Sequence, residues 1–161
     1  MELNKIVVKA MCVVGRNGKE VLAGIGRDDV KGEDFGRIIG GKVEFRETAE
    51  FALRREFQEE LNTELEDLFF IKMVENIFTY NGQPGHEVVF VYKGNLADKT
   101  LYQKDLIRVE DGGKEFDVRW VPLEDVYLGK LKLYPELDYK VILNKNPSLA
   151  YCPRPSKTHN E

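Results

Sequence analysis

A chain of 161 residues, 42% apolar and 32% charged, is long enough to bury the core of one domain and short for two. Its formal net charge of -4 gives no general attraction to nucleic acid or to an anionic membrane, so neither a nucleic-acid polymer nor a membrane is an expected partner. A phosphate-bearing ligand would have to be held by local devices, such as a metal or a few arginines.

The opening MELNKIVVKAMCVVG lacks a basic segment followed by a long apolar run, and no run reaches the ~20 apolar residues of a membrane span, so a soluble, cytoplasmic protein is expected. Cys12 and Cys152 stand far apart, with no zinc or disulfide spacing, and read as reduced thiols. Residues 5–14 are rich in Val, Ile and Met and meet Gly15-Arg16-Asn17-Gly18 before a second apolar run at 21–25, which predicts a hairpin. Gly24, Gly26, Asp28, Asp29, Gly32 and Asp34 predict a loop. Arg37-Ile38-Ile39 then predicts a short strand entering a tight turn at Gly40-Gly41.

Thr48 is placed to cap a helix, with Glu50 near the positive end of its dipole. Ala49, Ala52, Leu53, Phe57 and Leu61 recur at helical intervals and make an apolar face, and Asn62 can take the left-handed conformation that ends the helix. Two β-rich runs, 68–80 and 87–92, flank a loop at 81–85 and predict another hairpin. Residues 95–113 read as polar and mixed, with a flexible turn at Asp111-Gly112-Gly113. A strand at 116–121, a short turn or helix after Pro122, and a closing helix over 136–143 with Pro135 in its first turn complete the expected domain, 1–147. The remainder, 148–161, is polar and proline-bearing and reads as a mobile tail.

The chemistry concentrates in residues 40–65. Glu56, Glu59 and Glu60 stand at i, i+3 and i+4, so a helix brings their carboxylates to one face. A hard dication such as Mg2+, with Mn2+ as the alternative, binds through a few carboxylates plus substrate phosphates, and these glutamates meet that need. Gly40 and Gly41 let backbone approach a metal or phosphate closely. Arg55 can fork onto a carboxylate, and Glu47 stands within reach before the helix. The competing reading is a solvated amphipathic face.

This segment resembles the Nudix hydrolase signature, G-x5-E-x7-R-E-U-x-E-E-x-G-U, where U is bulky and apolar. Gly41, Glu47, Arg55, Glu56, Phe57, Glu59 and Glu60 occupy its positions in register, while Asn62 and Thr63 depart from it at the helix exit. FGRIIGGKVEF before the signature, and GHEVVFVYKG and FDVRWVPLEDV after it, also look like the family's strands. The resemblance implies an α/β fold, a three-layer α/β/α sandwich with a mixed central sheet. It also implies Mg2+-dependent hydrolysis of a nucleoside diphosphate linked to another group, with homodimers common in the family.

On that resemblance Glu56, Glu59 and Glu60 hold metal, the Gly40 carbonyl adds a ligand, Glu47 supports the site and Arg55 orients Glu56. The family often places a base on a later loop, where Glu110, Asp111, Glu115 and Asp117 stand. Glu115, beside the mobile glycines, is the expected base, and Glu56 is the alternative. Arg37, Phe78, Tyr80 and His86 are the expected substrate contacts. Core packing competes for Phe78, Tyr80 and Trp120, and a surface role for Arg27 and Arg37. The other functional reading is a Nudix module that binds or senses nucleotide without turnover.

Overall fold

The structure is a computed structural model that describes residues 4–144. The tail expected at 148–161 and the thiol of Cys152 lie outside the described residues. Among those described, no helix is long and apolar enough to cross a membrane.

The chain forms β1 (Ile6–Val13), β2 (Gly15–Arg16), β3 (Glu20–Asp28), β4 (Glu33–Lys42), α1 (Ala49–Leu61), β5 (Leu65–Tyr80) and β6 (Gln83–Leu96). After a 3-10 turn at Lys99–Gln103 come β7 (Leu106–Asp111), β8 (Lys114–Pro122), α2 (Leu123–Tyr127), β9 (Lys132–Tyr134) and α3 (Tyr139–Asn144). The strands join in one mixed sheet of order β5-β6-β1-β4-β3-β8-β7, with β2 on β3 and β9 on β4. The β1–β6 and β4–β9 pairs are parallel, and the others are antiparallel.

Strand alternation builds the layers. Ala10, Cys12 and Val14 pack in one cluster with Leu53, Phe57 and Leu61 of α1, while Met11 and Val13 point the other way and pack with Tyr139 and Ile142 of α3. This is the expected α/β/α sandwich. Phe57 is fully buried, and burying a side chain of that size stabilises the fold by ~1.5–3 kcal/mol. The α1 caps are as expected: Thr48 Oγ1 accepts from the Phe51 N–H at 3.1 Å, and Asn62 adopts φ 50°, ψ 45°.

Several expected loops are strand instead. β3 and β4 run through the glycine- and aspartate-rich segment, pairing Gly26 with Phe35 and Asp28 with Glu33, so only 29–32 turn. Inter-strand hydrogen bonds outweigh the weak local preference of those residues. Gly40 and Gly41 likewise make no turn: they continue β4 opposite Met11 and Ala10. The β5–β6 hairpin turns at Asn81-Gly82 alone, both at positive φ, and Gln83, Pro84 and Gly85 are already paired. The polar stretch 95–113 contains the 3-10 turn and all of β7, held by pairing with β8. The closing helix begins at Tyr139 rather than at 136, where Asp138 Oδ1 accepts from the Val141 N–H at 3.1 Å. A side-chain cap sets that start, as it does at Thr48.

Candidate active site

β4 changes partners between Ile38 and Ile39. Residues 33–38 pair with β3, and 39–42 pair with β1. A cleft of about 570 Å³ is lined from both wings: by Lys9, Asn76, Phe78 and Glu87 of the β1-β6-β5 wing, and by Gly24, Phe35, Arg37 and Phe116 of the β3-β4-β8 wing. At its far end two turns are tied together. Asp28 Oδ1 accepts from the Val30 and Lys31 N–H groups at 3.0 and 2.9 Å, and Oδ2 accepts from the Asn81 N–H at 3.2 Å, which joins the β3–β4 and β5–β6 turns.

At the other end lie the carboxylates of α1. Glu56, Glu60 and Asp111 each offer an oxygen, and these atoms all lie within 4.8 Å of one another. Burial, then the charges of Glu56 and Asp111, push the Glu60 carboxyl up to about 8, opposed by nearby Arg37. Burial also raises Glu56, against the hydrogen bond from Arg55. A compact set of hard oxygens, with Glu56 and Glu60 destabilised as anions, suits a divalent cation.

Arg55 holds this end together. Its Nε and Nη2 donate to both oxygens of Glu47 at 2.9 and 2.8 Å, Nη1 donates to Glu56 Oε1 at 2.9 Å, and Nη2 also reaches the Lys42 carbonyl at 3.1 Å. The hydrogen bonds from Arg55 draw the Glu47 carboxyl below its ordinary range. The expected loop-to-helix brace is therefore present, and Arg55 is anchored to the Glu56 that it was expected to orient. Glu59 is placed differently: its side chain is 52% exposed and meets Arg55 at 3.4 Å, outside the three-carboxylate group. Glu115 lies outside the cleft lining, 65% exposed and paired with Arg108 at 3.1 Å. Asp111, weighed with it on the same hairpin, is the acid that faces Glu56 and Glu60.

The paired glycines have separate reasons. A Cβ on Gly41 would stand 2.6 Å from Glu56 Cγ and closer still to the carboxyl, so this glycine makes room for the carboxylate. On Gly40 it would stand 2.6 Å from Met11 Cα and closer to the Ala10 carbonyl, in backbone that cannot step aside. Gly40→Ala is thus expected to lose ~1–3 kcal/mol of stability in denaturant melts. By contrast, Gly41→Ala meets a side chain that can shift, so it loses less stability than Gly40→Ala but loses activity on the order of 100-fold as Glu56 is displaced. Equal effects of the two in both assays would refute the distinction.

Arg37, Phe78 and Tyr80 line the cleft, and His86 does not; it sits in register between Ile6 and Ile77. Tyr80 and Tyr134 meet the Phe35 ring edge-on at 5.6 and 5.9 Å. Trp120 is core, stacked on Tyr102 at 5.3 Å. Arg27 is on the surface, paired with Asp34. Sequence reading passed over Lys9, Asn76 and Glu87. A signal was there: Lys9 and Glu87 are lone opposite charges in otherwise apolar runs, and in the fold they meet at 2.6 Å.

The family model described as the NUDIX domain matches residues 5–144. Among solved structures, a MutT NUDIX hydrolase from Burkholderia pseudomallei is 22% identical, the match covering 87% of this chain and 96% of that one, with a TM-score of 0.51. The solution structure of the E. coli ORF135 protein is 19% identical over 81% of this chain and 82% of that one, with a TM-score of 0.46. The first of these likenesses is one of fold.

Proposed function

This chain belongs to the NUDIX domain family, and from that premise we propose that it is a Mg2+-dependent hydrolase of a nucleoside diphosphate linked to another group, with Mn2+ as an alternative ion. The observation that carries the reading is the convergence of Glu56, Glu60 and Asp111 at one end of a cleft large enough for a nucleotide. A cytoplasmic setting accords with the buried free thiol of Cys12.

Glu56 and Glu60 would hold the ion from successive turns of α1, with Asp111 facing them from the β7–β8 hairpin. A divalent cation held there would lower the pKa of a water and offset phosphate charge. Glu59 joins only if its exposed side chain turns from Arg55. Gly40, whose carbonyl was an expected ligand, lines the cleft as part of β4. Arg55 fixes Glu56 on the cleft side of the helix. Lys42 and Lys114 also line the cleft, and their charge would attract substrate phosphate.

We assign proton acceptance from the attacking water to Asp111, in place of Glu115. Gly112 and Gly113, at φ 56° and 81°, make the tight turn that presents it. Asp111→Asn is expected to lower kcat on the order of 100-fold or more with KM little changed, as read in steady-state kinetics, and Glu115→Gln to leave kcat near the parent value. The reverse ranking would return the role to Glu115.

Incubation with nucleoside triphosphates, nucleotide sugars and dinucleoside polyphosphates, with and without Mg2+, tests the function through released phosphate products. Metal-dependent turnover of any class supports it. Nucleotide binding without turnover would favour the non-catalytic module.

A further inference from the structure

We propose that Lys9, Arg37, Glu87 and Asn76 form a nucleobase-reading site along the cleft, which takes a base with a carbonyl beside a ring N–H, the lactam edge of guanine or uracil. The proposal rests on the nucleotide reading above. The Glu87 side chain is 7% exposed, and its Oε1 meets Lys9 Nζ at 2.6 Å and Arg37 Nη2 at 2.9 Å. A buried carboxylate needs such partners. Its second oxygen has no hydrogen-bond partner among the described residues and is not sealed from solvent, so it remains an open acceptor. Arg37 retains Nε and Nη1 as donors without a protein acceptor among the described residues, and Lys9 Nζ has Glu87 alone. Asn76, the register partner of Glu87 on β5, lines the same cleft with its side-chain amide unbonded among the described residues.

This combination selects a ligand that both accepts and donates. Phosphate would satisfy the two cations but meet Glu87 Oε2 with like charge. A lactam edge sends its carbonyl oxygen to the cations and its N–H to Oε2. Adenine has no carbonyl, and the cytosine carbonyl adjoins an unprotonated ring nitrogen. Flat walls are at hand. Phe78 follows Asn76 by two residues on the same strand, and the Phe116 ring lies 3.3 Å from where a Cβ on Gly24, the register partner of Arg37, would stand.

Calorimetric titration of the full chain in metal-free buffer with GMP, UMP, AMP and CMP, none of which carries an anhydride to cleave, isolates binding from hydrolysis. GMP and UMP are expected to bind at least about 10-fold more tightly than AMP and CMP. Glu87→Gln, whose amide can present an N–H in place of the acceptor, narrows that gap. Arg37→Met, at a half-exposed position, weakens GMP and UMP about 10-fold without improving AMP, and it decides the matter if Glu87→Gln fails to fold. Equal binding of all four, tighter AMP or CMP, no measurable binding of any, or a folded Glu87→Gln protein with its preference intact overturns the site. Selective binding without turnover of any anhydride leaves the base site standing and removes the hydrolase; turnover without base preference does the reverse.

Discussion

Glu60→Gln is expected to lower kcat/KM by at least ~100-fold and, in metal-free buffer at pH 8, to raise the melting temperature. The first effect follows because Glu60 is one of the three converging carboxylates, and substitutions even of outer partners of a metal site cost ~10–100-fold. The second follows from linkage. The folded carboxyl titrates at about 8, against an ordinary value of 4.5. Between those values the unfolded chain has already released a proton that the fold retains, so metal-free stability falls as pH rises through that window. Glutamine carries no charge there and removes the fall. A melting series from pH 5 to 8 is therefore expected to slope downward in the parent protein, to flatten in Glu60→Gln, and to rise again in the parent when Mg2+ is added, most at pH 8. A parent series that is flat without metal would sink this account of Glu60, whatever the activity of the variant.

Arg55→Ala should combine a stability loss with an activity loss. Removing the guanidinium leaves Glu47 and Glu56, both mostly buried, without their charged partner, and costs about 2–3 kcal/mol. It also frees Glu56 to swing, which lowers kcat/KM on the order of 10–100-fold when assayed well below the melting transition. Arg55→Lys restores charge but not the fork that grips both oxygens of Glu47 while reaching Glu56, so its rescue is partial. Full rescue by lysine would reduce the brace to a point charge.

The part of this site that was legible in the sequence is the part carried by short-range geometry. Helical period set Leu53, Phe57 and Leu61 on the buried face of α1, Thr48 and Asn62 marked its ends, and the same period brought Glu56 and Glu60 to one side. Arg55 and Glu47 were found because they lie within a side chain's reach across one helix entry. The strands through Gly24–Asp34 and Gly40-Gly41 were hidden, because glycine and aspartate favour turns locally and only pairing with a distant strand overrides that preference.

By itself the sequence determined the signature residues and the acidic helix, since both are written in contiguous residues at helical spacing, and it gave the layering only through what the family resemblance implies. Only the tertiary structure decided that Asp111, rather than Glu115, faces the carboxylates, and that Lys9, Arg37 and Glu87 meet. Adjacent loop acids differ little in local pattern, and the three charges sit on separate strands. Their meeting depends on sheet order and on where β4 passes from β3 to β1, and residue spacing along the chain does not encode that.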